Sequence, residues 1–168
     1  MLCDLQTRFD ALNRESERAR ETVCALDVER LVCVPAPDEW SALQIVHHLV
    51  LVPETIGQPV KGIAPTKPFA PLLLRIGLVA LRRDIRLPLP DVALEPTNDV
   101  ALHVLFERWA KARNELEVFL GDITEETKRY RPFAHPIIGP LTATELIELG
   151  TAHTAYHRRQ LERLVSLP

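Results

Sequence analysis

Two imidazoles one helical turn apart, His153 and His157, and a third far upstream at His48, are the residues of this chain best suited to chemistry. Side chains four apart lie on one face of a helix, so the pair can converge on a single ion. A third ligand from another helix would complete a three-nitrogen site with one coordination position open, the property that separates catalytic zinc centres from closed, four-ligand structural ones. Three neutral imidazoles leave the ion its full charge, so a bound water could ionise near neutrality or a thiol could bind as its thiolate. The run His-Thr-Ala-Tyr-His lacks the glutamate that follows the first histidine of the H-E-x-x-H peptidase motif, which disfavours peptide hydrolysis. A thiol needs less help from a base, because coordination itself lowers its pKa, and transfer of a thiol to a small electrophile is the favoured chemistry.

These residues must be carried by helices. Four long stretches show helical periodicity and none shows a convincing strand alternation, so the expected class is all-α. Leu5, Phe9, Leu12, Ser16, Ala19, Val23 and Leu26 recur at spacings of three and four, predicting an amphipathic helix from about Asp4 to Arg30. After Pro35 and Pro37, Ser41 and Gln44 form a capping box that opens the second helix, with Trp40 as a hydrophobic staple. Its inward stripe is Ile45, His48, Leu49, Val52 and Ile56; His47 points about 100° away, and Pro53 should kink or end the helix. Residues 57–98 are proline-rich and read as a long crossover in which only Phe69 to Arg83 could be helical. Asn98 is a good N-cap for a third helix with the stripe Leu102, Leu105, Phe106, Trp109, Ala112, Leu116, Phe119, ending at Gly121. A loop around His135 and Pro136 leads to a second capping box, Thr142 with Glu145, and a fourth helix whose inward face is Leu146, Leu149, His153, Tyr156, His157, Gln160 and Leu164. One seam histidine ordinarily bonds a carbonyl or hydroxyl; three of them in two helices favour a shared metal ion.

The scaffold is sufficient for this. At 168 residues one domain spanning 1–168 is expected, large enough to bury most of its apolar surface without cross-links. Three cysteines, Cys3, Cys24 and Cys33, form an odd set without ligand spacing, and no apolar leader is recognised, which fits a reducing cytoplasm. Twenty Lys and Arg against 23 Asp and Glu give a net charge of -3 with interspersed signs, so nucleic acid is not an expected partner. The most apolar stretch, Pro71 to Leu81, is broken by Arg75 and is about half the length of a spanning helix, so no membrane segment is expected.

Other polar residues weigh towards structural work. Tyr156 and Gln160 could orient a metal-bound ligand, but seam polar residues more often bond a neighbouring helix. Glu145 is explained by capping. His135, before a proline, favours turn formation over lining a pocket mouth. His103 reads as surface, Trp109 as core, and Cys24 and Cys33 as small packed hydrophobes. Arg158 and Arg159 could meet the carboxylates of an anionic thiol, yet as a C-terminal pair they equally complement the helix dipole, which is preferred.

The segment Trp40-Ser41 with Ile45, His48 and Leu49, and the run His135-Pro136, Gly139-Pro140-Leu141-Thr142, Glu145, His153, His157, Gln160, resemble the DinB-like (DinB/YfiT) superfamily of metal-binding bundles, in order and spacing over most of the chain. The resemblance implies a four-helix bundle of up-down-down-up topology with a long crossover between helices 2 and 3, often dimeric. It implies His48, His153 and His157 as ligands of a divalent ion, zinc or nickel, and a small-molecule substrate with a low-molecular-weight thiol as cosubstrate. Where the family ordinarily carries an aromatic, this chain has Ile137 and Ile138, which alters the pocket wall and no ligand. Members also resemble metal-dependent hydrolases, so two alternatives stand beside the transferase: a hydrolase of small substrates, and a non-enzymatic bundle whose crossover residues Leu72, Leu73, Leu74 and Ile76 serve an interface.

Overall fold

The computed structural model describes residues 1–59, 69–86 and 95–166. Its elements are α1 (Cys3–Cys24), α2 (Val28–Val32), α3 (Ala42–Thr55), α4 (Ala70–Arg82), α5 (Leu102–Gly121), β1 (Phe133–His135), β2 (Gly139–Leu141) and α6 (Ala143–Val165). α1, α3, α5 and α6 form the four-helix bundle, and α4 packs on α6.

Ion pairs between helices establish their directions. Glu15 meets Arg158 at 2.9 Å and Arg30 reaches the Leu164 carbonyl at 3.0 Å, so α1 and α6 run parallel. Ser41 Oγ donates to Asn98 Oδ1 at 2.7 Å, Arg108 Nε to Glu54 at 2.9 Å and Gln58 to Glu115 at 3.1 Å, so α3 and α5 also run parallel. Glu17 with Arg113 at 3.1 Å, and Arg20 over the Phe106 ring at 5.7 Å, set α1 against α5 in the opposite sense. The topology is therefore up-down-down-up. Two parallel neighbours joined in sequence require a return connection; α4 belongs to it, while residues 60–68 and 87–94 of the expected crossover lie outside the described residues.

Both capping boxes form. Ser41 Oγ accepts from Gln44 N at 3.1 Å, and Thr142 Oγ1 accepts from Glu145 N at 3.2 Å, each with the reciprocal side-chain bond. Glu145 also receives both guanidinium nitrogens of Arg131, at 2.7 and 3.1 Å, tying the hairpin to the first turn of α6.

Four details differ from expectation. The first helix stops at Cys24, because Asp27 accepts from Arg30 N at 2.8 Å and caps a separate short helix. Asn98 does not cap α5, which begins after Ala101; its side chain is used by Ser41. The loop around His135 contains a small antiparallel hairpin pairing Phe133 with Leu141 and His135 with Gly139, the latter at φ 97°, a left-handed conformation that suits glycine. Cys3, Cys24 and Cys33 are all exposed free thiols, so Cys24 and Cys33 do not pack inside.

The apolar interior has two bodies. One gathers Leu5, Phe9, Phe133, Leu141 and Ile147; the other gathers Ala19, Val23, Ile45, Val46, Leu105, Trp109 and Leu161. α3 is apolar nearly all round, the mark of a helix enclosed by its neighbours. Within the α1–α6 contact the Ser16 hydroxyl is 1 % exposed and has no hydrogen-bond partner among the described residues. A buried hydroxyl without a partner costs on the order of 1–3 kcal/mol, so Ser16→Ala is expected to raise stability by about 1 kcal/mol. Urea unfolding would measure this, and a clear loss of stability would show that the hydroxyl is satisfied in solution.

Candidate metal centre

The parallel pairing of α1 with α6 and of α3 with α5 brings the middle of α3 against the second half of α6. His48 leaves α3 at this level, and His153 and His157 leave α6 one turn apart. The ε nitrogen of His153 stands 3.2 Å from that of His48 and 3.2 Å from that of His157. One donor nitrogen from each residue lies within 4.8 Å of the other two. Zinc binds imidazole nitrogen at about 2.0–2.1 Å, which sets tetrahedral donor atoms about 3.3 Å apart. The two 3.2 Å spacings fit that edge.

Imidazole chemistry carries the fit further. An ε nitrogen has one in-plane position, occupied by a proton or by a lone pair. His153 Nε2 can therefore be aligned as donor or acceptor with one of its two neighbours, whereas a single cation satisfies all three lone pairs. The two rings of α6 are uncharged near neutrality. Burial holds the His153 imidazole well below the usual histidine range, with His157, His48 and His135 adding to the effect; burial, then His48, hold His157 down at about 3. Neutral imidazole is the ligand form. His48 and His157 are buried, while His153 keeps partial exposure.

A second layer orients the ligands. His157 Nδ1 lies 2.7 Å from Gln160 Oε1, and the Gln160 amide nitrogen donates to the Tyr156 hydroxyl at 3.0 Å. The carboxamide oxygen only accepts, so Nδ1 carries the hydrogen and Nε2 presents its lone pair to the cluster. Gln160 and Tyr156 thus join the histidine face as expected, but through bonds within their own helix rather than to a neighbour. Burial raises the Tyr156 phenol, which stays protonated.

Trp40 is the residue sequence reasoning undervalued. Its ring centroid is 4.8 Å from that of His48 and 6.0 Å from that of His157, nearly parallel to the latter at 19°. The legible signal was its place two helical turns before His48, in line with Gln44. His47, read as turned away, is turned away from the cluster yet buried. It accepts the Thr97 backbone N–H at Nδ1, 3.0 Å, and pins α3 to the chain leading into α5. Leu43, Val46 and Val50 share that second face, a pattern that marks it as interior.

The remaining candidates take structural roles. His135 Nδ1 accepts from the backbone N–H of Ile137 and Ile138 at 3.2 and 3.1 Å, forming the turn as anticipated. His103 is exposed and Trp109 buried, as expected. Arg158 and Arg159 are not at a helix end, since α6 continues to Val165. Arg158 bonds Glu15 and Glu162, and Arg159 bonds Asp84 at 2.7 Å and the Leu81 carbonyl at 2.7 Å, which fastens α6 to α1 and to the end of α4. Neither complements the dipole as the sequence suggested.

The neutral imidazoles give the fold a pH signature. In the unfolded chain His157 titrates near 6.5, and in the fold near 3. Between those values the unfolded state holds more protons, so this contribution is fully present above pH 6.5 and is lost as pH falls towards 3. Metal-free protein should lose roughly 2 kcal/mol for His157 between pH 6.5 and 5. Denaturant unfolding across this range, compared with His157→Gln, checks it; equal slopes would show that the histidine titrates normally in the fold.

Comparisons with known proteins agree with this picture. A sequence profile described as the DinB superfamily matches residues 11–161. No curated protein matches. Among solved structures the fold is similar to that of YfiT from Bacillus subtilis, at 15 % identity and a TM-score of 0.62, covering 98 % of this chain and 87 % of that one. That protein is described as "a probable metal-dependent hydrolase with an unusual four-helix bundle topology".

Proposed function

The chain belongs to the DinB superfamily, and from that premise we propose that it is a divalent-metal-dependent enzyme, a transferase that joins a low-molecular-weight thiol to a small electrophile. The observation that carries this reading is the convergence of three ε nitrogens, 3.2 Å apart along two edges, beside a partly exposed ligand. His48, His153 and His157 would hold zinc or nickel, both of which suit imidazole. When bound, such a cation stabilises the thiolate form of a thiol at neutral pH.

The chain's own residues supply the rest. Gln160 keeps His157 in the liganding tautomer, the Trp40 ring forms an apolar wall that excludes water from the His48 and His157 side, and His153 faces the accessible side. Attack by sulfur forms a sulfur–carbon bond as the bond to the leaving group breaks, and the thiol's proton passes to solvent. Among the described residues no carboxylate belongs to the histidine cluster, and Thr154 stands where zinc peptidases carry their glutamate. A thiol can react without such a base; water has more need of one.

Hydrolysis of a small substrate is the second reading, favoured by the description of YfiT; a metal-binding bundle without catalysis is the third. In all three a second copy of the chain is a suitable partner for the outer stripe of α4, where Phe69, Leu72, Ile76 and Val79 are exposed at helical spacing. The free, exposed thiols suit a reducing cytoplasm. Among the described residues no helix is long and apolar enough to cross a membrane.

Elemental analysis of the native protein should find about one zinc or nickel per chain, lost in His153→Ala; equal content in both would remove the site. With several cellular thiols and a model electrophile, thiol loss should depend on metal and fall at least about 100-fold in His153→Ala. Metal without turnover of any thiol would leave the non-enzymatic reading. Added Co²⁺ should also quench the fluorescence of Trp40, and Trp40→Phe should abolish the quenched component; undiminished emission at metal saturation would place the ion elsewhere.

A further inference from the structure

The ring nitrogen of His157 that faces away from the cluster meets a carboxamide, and that choice has consequences for the charge at the centre. A liganding histidine commonly donates its second N–H to a carboxylate or a backbone carbonyl. A carboxylate draws the hydrogen towards itself, makes the imidazole a stronger and partly anionic donor, and so spends part of the cation's charge on the protein. Gln160 cannot do this. Its oxygen accepts at 2.7 Å with no net charge, and its orientation is fixed from the other end by the Tyr156 hydroxyl at 3.0 Å. All three residues sit within a single turn of α6, and Tyr156 and His157 are buried, so the arrangement is set by the helix itself.

We propose that Gln160 is a positioning residue that holds His157 in its liganding tautomer without adding negative charge to the centre, which favours an anionic ligand at the bound ion, a thiolate before a neutral donor. This rests on the metal-centre reading above. No carboxylate belongs to the cluster among the described residues, and Gln160 adds no charge behind His157. The Trp40 ring, 4.8 Å from His48 and 6.0 Å from His157, lowers the local polarity and strengthens the attraction for an anion.

The test uses Co²⁺-loaded protein, with Co²⁺ affinity measured by chelator competition and anion affinity by titrating thiocyanate while following the visible cobalt bands. Gln160→Glu keeps the size of the side chain and adds the charge. It is expected to bind Co²⁺ about tenfold more tightly and thiocyanate about tenfold more weakly. Gln160→Leu removes the acceptor and is expected to lose about 10- to 100-fold in Co²⁺ affinity. A merely structural role would weaken both ligands together in Gln160→Glu, which would overturn the proposal, as would two variants indistinguishable from the parent chain. A parent chain that takes up no Co²⁺ would overturn the metal-centre reading itself, whereas uptake with unchanged variants would overturn this inference alone.

Discussion

Everything in this bundle is arranged around three imidazoles that share one small volume in the interior. Polar rings in a desolvated seam must be met by partners, because each unmet polar group costs kilocalories. The two apolar bodies of the interior divide near this level, with Ala152 and Tyr156 in one and Leu49 and Leu161 in the other. The fold thus gives up continuous packing at its middle, a concession expected where a site and not a core residue is being built.

Topology follows from the same constraint. His48 and the His153–His157 pair must face each other from helices that are far apart in sequence, and the solution seen is a parallel α1–α6 pair against a parallel α3–α5 pair. Parallel neighbours cannot be joined by tight turns, so polar links fix their relative height. Arg158 to Glu15, Arg113 to Glu17 and Arg108 to Glu54 lie between main helices, Ser41 to Asn98 joins the start of α3 to the chain before α5, and all are partly buried. Ion pairs that keep solvent contact contribute about 1 kcal/mol or less, so their value lies in register more than in stability. A slip of one residue along α6 would turn both of its ligands through about 100° and out of the cluster.

Much of this was legible beforehand, and the reasons for success and failure are local. His48, His153 and His157 were readable because a polar residue at a seam position violates the helical pattern, and three such violations align. The caps at Ser41 and Thr142 were readable because the capping box is a four-residue code without long-range partners. Asn98 failed for the opposite reason: it has a capping residue's chemistry, but the Ser41 hydroxyl, distant in sequence, claims its side chain. The break at Asp27 failed because Leu26 extended the apolar period past the true end of the helix. The hairpin was too short, at three residues a strand, for alternation to show. Arg158 and Arg159 were placed near a helix end that lies further on, and their partners Glu15 and Asp84 could not be guessed from local sequence.

The second layer of the centre is where sequence and function part company. The three histidines, as a candidate metal centre, leave several chemistries available, since the same three nitrogens suit hydrolysis, thiol transfer or simple binding. What differs between such sites is the charge and polarity of the groups behind the ligands. Among the described residues these include a carboxamide, a phenol and an indole, none of them charged. No carboxylate belongs to the cluster among the described residues, so a general base for water is not one of its members. Gln160 and Trp40, and not the histidines, set that polarity, and uncharged groups behind a cation favour an incoming anion.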